Sequence, residues 1–200
     1  SAHIEMVGSR QGIADAKAEL FEALPQDGVA HLWADDEFAG YLRSKAPCRV
    51  RTFGVGPDSD MRLVGYKALG VDRCEAMLHL NGWTITLELP TVGRHQALNA
   101  AAALLVADSA NVPLVEAAEA LTEVQLPAMR MEIVRQGGAT IMLDTYNASP
   151  DSMVAAIRTL SELPCTGRRV AVIGEMKELG SVSELGHRRG GRENSRKPID

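Results

Sequence analysis

Hydrophobic residues recur along the chain with two periods, and their order predicts helices alternating with strands. Apolar positions follow helical spacing over residues 11–24, and short apolar stretches at 29–33 and 49–55 predict strands. A second helix is expected between those strands, from Asp35-Asp36 through Leu42. This order is typical of a parallel sheet covered by helices.

The pattern changes in the middle of the chain. Residues 61–69, 75–80 and 83–89 are strand-like, and Asn81-Gly82 joins the last two. Asn-Gly between alternating segments is a strong hairpin signal because both residues tolerate a positive φ. The sequence therefore predicts a small antiparallel patch beside the parallel strands.

Two helices, a linker at Leu126-Pro127 and then a second alternation of strands and helices follow this patch. Helices are predicted at 95–108, 113–124 and 150–163, and strands at 131–135, 139–143 and 169–173. We predict a boundary near Pro127, which gives one domain over 1–127, a second over 128–190 and a polar tail over 191–200. Because residues 187–197 lack an apolar period, a solvated or poorly ordered end is expected there.

Composition excludes several classes of protein. A net charge of −5 argues against a general nucleic-acid binder, which needs clustered Lys and Arg. The three widely spaced cysteines, Cys48, Cys74 and Cys165, fit a reducing cytoplasm and no disulfide framework. No apolar run approaches the ~20 residues of a membrane span, and we expect no signal peptide. The chain opens without Met in patterned sequence, so we expect a piece of a longer protein.

The stretch 144–152 carries the clearest candidate chemistry. Asp144 follows the apolar run 140–143, so it is expected at the carboxyl end of a buried strand, where ligands of α/β sheets bind. Ser149 is placed to cap the next helix. Asp144, Tyr146 and Asn147 together suit a sugar hydroxyl, a base or a phosphate. The alternative is a capped turn whose side chains satisfy their own backbone.

Two further stretches suit a nucleotide. His95 and Asn99 are four residues apart at a helix start and share one face, with Gln96 beside them. Simple N-terminal capping is an equal alternative. Arg130 follows the boundary and suits bidentate phosphate binding, with an interdomain salt bridge as its rival. Residues 174–180 follow a strand end and are either a ligand-facing or a solvated loop.

Other residues and motifs carry less information. Lys17 is most simply a surface residue whose stem covers apolar neighbours, and His3 alone is more often structural than a ligand. No G-x-x-x-x-G-K-[ST] phosphate loop and no Gly-x-Ser-x-Gly nucleophile motif occurs. Hydrolase chemistry therefore has no support.

These motifs, and the order in which they follow one another, resemble those of the Mur ligase family, the ATP-dependent amide-bond ligases of peptidoglycan synthesis. Residues 2–5 with 16–19 look like the metal region of its central domain, and G-R-H-Q-A-L-N-A at 93–100 looks like its G-R-H-N-x-x-N-A helix start. Residues 130–132 look like the start of its third domain. The turns at 144–152 and 174–180 are most similar to those of members that join D-alanyl-D-alanine to UDP-N-acetylmuramoyl-tripeptide. The resemblance extends to about residue 191.

The resemblance implies a fold and a set of site residues. The fold would be part of the central ATPase domain, followed by the first half of a Rossmann-like C-terminal domain. The implied cofactors are ATP and Mg²⁺, with His3 and a carbamylated Lys17 as catalytic metal ligands, since an anionic oxygen suits a hard cation. The residues implied to contact ATP are Gln96, Asn99, Arg130, Asp144, Tyr146 and Asn147. His187 matches a family histidine whose role is left open.

The implied reaction passes through an acyl phosphate that the dipeptide amine attacks. The implied protein is a cytoplasmic monomer that binds no nucleic acid and does not insert into membranes. Departures from the family pattern are Trp33, Gln96, Ala128 and Ser149, and the missing phosphate loop predicts a chain inactive by itself. The alternatives are a folylpolyglutamate- or cyanophycin-synthetase-like ligase, and a non-catalytic nucleotide-binding module.

Overall fold

The structure is a computed structural model that describes residues 8–197 and 199–200. In chain order the elements are α1 (Arg10–Glu22), β1 (Val29–Trp33), α2 (Ala39–Lys45), β2 (Arg49–Gly54), β3 (Met61–Ala68), β4 (Cys74–Leu80), β5 (Trp83–Leu89), α3 (Arg94–Ser109), α4 (Leu114–Thr122), β6 (Glu132–Gln136), β7 (Ala139–Leu143), α5 (Pro150–Glu162), a 3₁₀ turn (Gly180–Val182) and α6 (Ser183–Ser195).

The first five strands form one mixed sheet in the order β1-β2-β3-β4-β5. β1 pairs with β2 and β2 with β3 in parallel, whereas β3, β4 and β5 form an antiparallel meander. The β4–β5 turn places Asn81 at φ 50° and Gly82 at φ 86°. The predicted mixed α/β fold, with parallel strands and an antiparallel patch, is therefore confirmed.

The Ala-rich helix α3 forms the main core with this sheet. Ala97, Ala101 and Leu104 of α3 are fully buried against Met61 and Leu78. Alanine side chains let the helix approach the sheet closely, while the leucines fill the remaining space. This packing fixes the position of α3 and therefore of its amino terminus, which carries the predicted nucleotide-contacting residues.

The carboxyl end of α3 is tied to the parallel strands by a buried polar network. Arg51, 6% exposed, donates from Nη1 to Asp108 Oδ2 at 2.6 Å and to Ser109 Oγ at 2.9 Å. Ser109 Oγ donates to the Leu105 carbonyl at 3.0 Å and lies 2.8 Å from His31 Nε2. Since the Ser109 hydroxyl proton is used, His31 Nε2–H is the donor of that last bond.

The second predicted helix begins later than expected, at Ala39. The two acidic residues before it are used in turns instead. Asp35 accepts from the Val55 N–H at 2.7 Å and the Gly56 N–H at 3.2 Å, and Asp36 accepts from the Phe38 N–H at 2.8 Å. Asp35 therefore closes the loop after β2 rather than starting a helix.

Beyond α4, the chain forms a separate hairpin and a pair of packed helices. β6 and β7 pair antiparallel, and α5 packs on α6. The predicted strand at 169–173 is wrong as an assigned strand. Its described backbone pairing is limited to Asp200, whose N–H donates to the Arg169 carbonyl at 2.8 Å and whose carbonyl accepts from the Ala171 N–H at 2.9 Å. That pattern is a single parallel bridge, too short to count as a strand.

Residues 187–197 were expected to be solvated or poorly ordered, and much of this segment is exposed, but poor order is wrong because residues 183–195 form α6. This helix packs on α5 through glycines, not through large apolar side chains. Gly186 and Gly190 are buried, and a Cβ added at Gly190 would lie 3.2 Å from Met153 Cγ. Close approach through glycine leaves no apolar period, so the hydrophobic pattern did not indicate the helix.

Two kinds of contact join the first part of the chain to the second. Arg135 of β6 forms a salt bridge with Asp72 of the β3–β4 turn, with Nη2 and Oδ2 2.8 Å apart. A Cβ added at Gly93, before α3, would lie 2.9 Å from Thr159 Oγ1 of α5. Within the described residues, no helix has the length and apolarity needed to cross a membrane.

Candidate functional site

The amino terminus of α3 is built on a glycine at a position where any other residue would be strained. Gly93 has a φ of 102°, and its N–H donates to the Tyr66 hydroxyl at 2.7 Å. A Cβ at this position would lie 2.5 Å from His95 Cε1. His95 therefore folds back over Gly93, half-buried and close to α5, and burial lowers its pKa.

Asp144 brings the second part of the chain to the same place. Its carboxylate is half-buried, and this burial raises its pKa, while the charge of His95, a hydrogen bond from the Met131 N–H and the charge of Arg130 lower it. Asp144 and His95 thus interact across the two parts of the chain. Asn99 lies one helical turn beyond His95 on the same face of α3.

The strand that leads to Asp144 differs from the prediction. β7 is mostly exposed, with Ala139, Thr140 and Ile141 open to solvent. Among the described residues, β7 pairs only with β6, and of its apolar side chains Met142 and Leu143 are partly buried whereas Ile141 is exposed. The prediction of a buried strand before Asp144 is therefore wrong, although Asp144 does follow the end of a strand.

Arg130 and Tyr146 form a stacked pair at the start of the second part. The guanidinium carbon of Arg130 lies 4.3 Å from the centroid of the Tyr146 ring. The Met129 carbonyl accepts from the Thr145 and Tyr146 N–H groups at 3.0 and 3.2 Å, which ties the end of the linker to this turn. The interdomain salt bridge considered for Arg130 is not formed with any residue of the described chain.

Gln96 and Asn99 bind each other and leave complementary groups available. Asn99 Nδ2 donates to Gln96 Oε1 at 3.1 Å. The Gln96 amide donors and the Asn99 acceptor can therefore serve a ligand, and one donor with one acceptor suits the edge of a base. Side-chain capping by these residues is not observed, because the helix cap at Gly93 has no side-chain hydrogen bond.

The turn before α5 is partly self-satisfied, as the alternative interpretation proposed. Asn147 Oδ1 accepts from the Ala148 N–H at 2.8 Å, and Ser149 forms a reciprocal capping box with Ser152. Asn147 and Ser149 therefore serve the local backbone. The Asp144 carboxylate instead interacts with His95 of α3, and the Tyr146 ring stacks on Arg130 after the linker.

The predicted metal residues are not brought together by the described chain. Lys17 is exposed on α1, which packs on α2, and His3 lies outside the described residues. Residues 8–197 and 199–200 contain no group of three His, Cys, Asp or Glu side chains arranged for a metal. An exposed ammonium group cannot itself hold a cation.

A cavity of about 320 Å³ lies between the linker and the residues that follow β5, but it is not where the predicted residues meet. Among the predicted site residues, only Arg130 lines it, together with Thr91, Leu126 and Ile133. The sequence placed His95 on the helix face that suits a nucleotide, but it did not indicate that the ring lies over Gly93 or interacts with Asp144. The spacing of Gly93 and His95 is the signal in the sequence, because a glycine two residues before a histidine at a helix start leaves room for the imidazole ring to fold back over it.

Comparisons with known proteins match most of the chain. Residues 1–107 match the family described as Mur ligase middle domain, and residues 129–198 match Mur ligase, glutamate ligase domain. The chain is 33% identical over 202 residues to the UDP-N-acetylmuramoyl-tripeptide--D-alanyl-D-alanine ligase of Bacillus subtilis, covering 100% of this chain and 42% of that protein.

Two crystal structures give the same result. MurF from Acinetobacter baumannii superposes with a TM-score of 0.90 at 30% identity, covering 99% of this chain and 43% of that one. MurF ligase from Thermotoga maritima in complex with ADP has a TM-score of 0.83 at 28% identity, covering 96% of this chain and 44% of that one. The chain thus spans less than half the length of these relatives.

Proposed function

Because this chain belongs to the Mur ligase family, we propose that it acts as part of an ATP-dependent ligase that joins D-alanyl-D-alanine to UDP-N-acetylmuramoyl-tripeptide. The support is its likeness to D-alanyl-D-alanine ligases over nearly its whole length. Residues 1–127 would belong to the central ATP-binding domain, and residues 128–190 to the C-terminal ligase domain. A cytoplasmic, monomeric protein remains a prediction.

The proposed reaction has two steps. The terminal carboxylate of the tripeptide attacks the γ-phosphorus of ATP, which gives an acyl phosphate and ADP. The neutral amine of the dipeptide then attacks the acyl carbon, and the tetrahedral intermediate loses a proton and expels phosphate as the amide forms. Each step needs its partners held in line and shielded from water.

The nucleotide would lie between the two parts of the chain. Asp144 would accept hydrogen bonds from ribose hydroxyls, and its half-buried carboxylate suits such a neutral donor. Gln96 and Asn99 would bind the base through their unused donor and acceptor. Arg130, held on Tyr146, would present its guanidinium edge to a phosphate. Asn147 would border the nucleotide.

Magnesium would require more than the described residues supply. Lys17 does not fit a cation site as an ammonium group, and it would become an anionic oxygen ligand only as a carbamate. His3 would be its partner and a catalytic metal ligand.

One observation carries the proposal: the start of α3 meets the second part of the chain, since a Cβ added at Gly93 would lie 2.9 Å from Thr159 Oγ1 of α5, and the charges of His95 and Asp144 act on each other there. A nucleotide-binding crevice built by both parts requires this convergence. The same junction contains the Arg130–Tyr146 stack, so a carboxylate and a cation are available there together.

The test is nucleotide binding and ligation by the protein expressed from the complete reading frame that contains this chain. Asp144→Ala should weaken ATP binding about 10- to 100-fold, since hydrogen bonds to a charged group contribute about 1.5–3 kcal/mol. Asp27→Ala, at an exposed carboxylate after α1, is the matched control. ADP release should require both UDP-N-acetylmuramoyl-tripeptide and D-alanyl-D-alanine.

Two results would refute the proposal. One is an unchanged ATP affinity in Asp144→Ala. The other is ADP release that depends on a folate and glutamate instead of the muramoyl peptide, which would favour the folylpolyglutamate-synthetase-like alternative.

A further inference from the structure

The loop 174–179, which follows the extended segment 169–173, is anchored at two points. Met176 and Leu179 are buried, with 2% and 1% of their surface exposed. Glu175 and Lys177, the residues on either side of Met176, are exposed to solvent. The loop therefore has a defined position although it contains no helix or strand.

His187 of α6 holds this loop through its imidazole ring. His187 Nε2 accepts from the Met176 N–H at 3.0 Å, and Nδ1 lies 2.8 Å from the Ser183 carbonyl oxygen. A carbonyl only accepts, so the ring proton is on Nδ1 and the lone pair is on Nε2. A single neutral tautomer of His187 makes both contacts, so both ring nitrogens are used in holding the loop.

The residue before His187 connects the loop to the start of α5. A Cβ added at Gly186 would lie 2.9 Å from Leu179 Cδ1 and 2.9 Å from Pro150 Cγ. Arg189 adds a salt bridge to Asp151 in the first turn of α5, at 2.6 Å. Residues 186–189 therefore brace both the loop and the helix start that ends the turn 144–149.

We propose that His187 is a positioning residue for the ligation reaction. By binding the Met176 N–H it keeps the loop 174–179 packed against Gly186, which also lies against Pro150 at the start of α5. The packed loop in turn keeps the turn 144–149 in the form that would contact the nucleotide. This inference rests on the proposed function, but its first step concerns the loop alone.

The test compares two substitutions that differ in one hydrogen-bond acceptor. His187→Phe keeps a ring of similar size without an acceptor, whereas His187→Gln keeps an acceptor near the position of Nε2. Arg188→Ala is the control, because Arg188 lies next in the helix and its salt bridge to Glu184 is exposed. All are made in the protein expressed from the complete reading frame.

Two measurements are made on each variant. Hydrogen exchange of the peptide covering residues 174–180 reports the loop, and ATP binding reports the turn. His187→Phe should accelerate exchange and weaken ATP binding about fivefold each, the effect of one lost hydrogen bond. His187→Gln and Arg188→Ala should match the wild type in both.

Three outcomes would overturn the inference. Unchanged exchange in His187→Phe would show that His187 does not hold the loop. Faster exchange with unchanged ATP binding would show that the loop does not support the turn. Equal loss in His187→Gln and His187→Phe would show that the acceptor is irrelevant. If the wild type bound no nucleotide, the proposed function would fail, and the exchange comparison would still decide the first step.

Discussion

The guanidinium carbon of Arg130 lies 4.3 Å from the centroid of the Tyr146 ring. This contact joins the residue that begins the second part of the chain to the turn that follows β7. A guanidinium stacked on a ring keeps its charge and its edge donors, whereas an ion pair would occupy them. The stack therefore orients Arg130 without reducing its capacity to bind an anion.

The stack can be tested with a pair of substitutions. Tyr146→Leu removes the ring and should weaken ATP binding about two- to fivefold, because an exposed cation–π contact contributes about 0.5–1 kcal/mol. Tyr146→Phe retains the ring and should bind ATP almost as well as the wild type. Calorimetric titration measures both. Equal weakening in the two variants would mean that the hydroxyl, not the stack, is what matters.

The buried network at the carboxyl end of α3 predicts a loss of stability. Asp108→Ala leaves the Arg51 guanidinium without its carboxylate, in a side chain that is 8% exposed. Because Asp108 itself is 30% exposed, we expect a loss of about 2–3 kcal/mol, below the range for a fully buried pair. Urea unfolding measures the change in the free energy of unfolding.

The matched control for this network is the exposed salt bridge between Arg10 and Glu37, with N and O 2.8 Å apart. Arg10→Ala should cost less than about 1 kcal/mol, as exposed pairs do. If the two substitutions lowered stability equally, burial of Arg51 would not explain the effect.

His31 in the same network predicts a pH dependence. Burial lowers its pKa, the Arg51 charge lowers it further, and a hydrogen bond with the Leu105 backbone partly opposes them. The unfolded chain therefore binds this proton more tightly, so stability is complete above the unfolded pKa of about 6.5 and falls as the pH drops below it.

We expect the free energy of unfolding to decrease as the pH falls below about 6.5. His31→Gln retains a donor to Ser109 but does not titrate, so its decrease should be shallower. Burial also lowers the pKa of His95, so part of the decrease should persist in the variant. Urea titrations at several pH values measure this, and parallel curves for both proteins would contradict the assignment.

The capping box at the start of α5 predicts a smaller effect. Ser149 Oγ accepts from the Ser152 N–H at 3.2 Å, and Ser152 Oγ accepts from the Ser149 N–H at 2.9 Å. Ser149→Ala should cost about 1 kcal/mol of stability in thermal unfolding, as the loss of such caps does. Ser161→Ala in the same helix is the control, since Ser161 Oγ donates only to the Arg158 carbonyl at 2.7 Å. A larger loss in the control would contradict the role of the cap.

Elements specified by local chemistry were predicted well from the sequence. The Asn81-Gly82 hairpin follows from the φ values that these two residues tolerate, and α3 follows from its Ala-rich pattern. The start of α5 follows from Ser149 and Pro150. In each case the signal and the structure lie within a few neighbouring residues.

Elements that depend on distant partners were predicted poorly. The apolar pattern at 169–173 and 139–143 is that of strands inside a sheet, but within the described chain these segments have few pairing partners and remain exposed. α6 shows the opposite failure, because its packing through Gly186 and Gly190 leaves no apolar pattern.

The candidate site was predicted in its composition but not in its contacts. Motif positions indicated Arg130, Asp144 and Tyr146, yet no spacing rule indicated that Arg130 stacks on Tyr146. The interaction between His95 and Asp144 depends on how the two parts of the chain meet. Such a relationship requires the tertiary structure.

The salt bridge between Asp72 and Arg135 has a practical consequence for assays. It joins the β3–β4 turn to β6 across the junction, and both side chains are largely exposed. Counterions weaken exposed pairs, since the screening length falls from about 10 Å at 0.1 M to about 3 Å at 1 M ionic strength. The junction is therefore held more firmly in buffers of low ionic strength than in buffers of high ionic strength. Reaction rates should accordingly be compared only between assays at the same ionic strength.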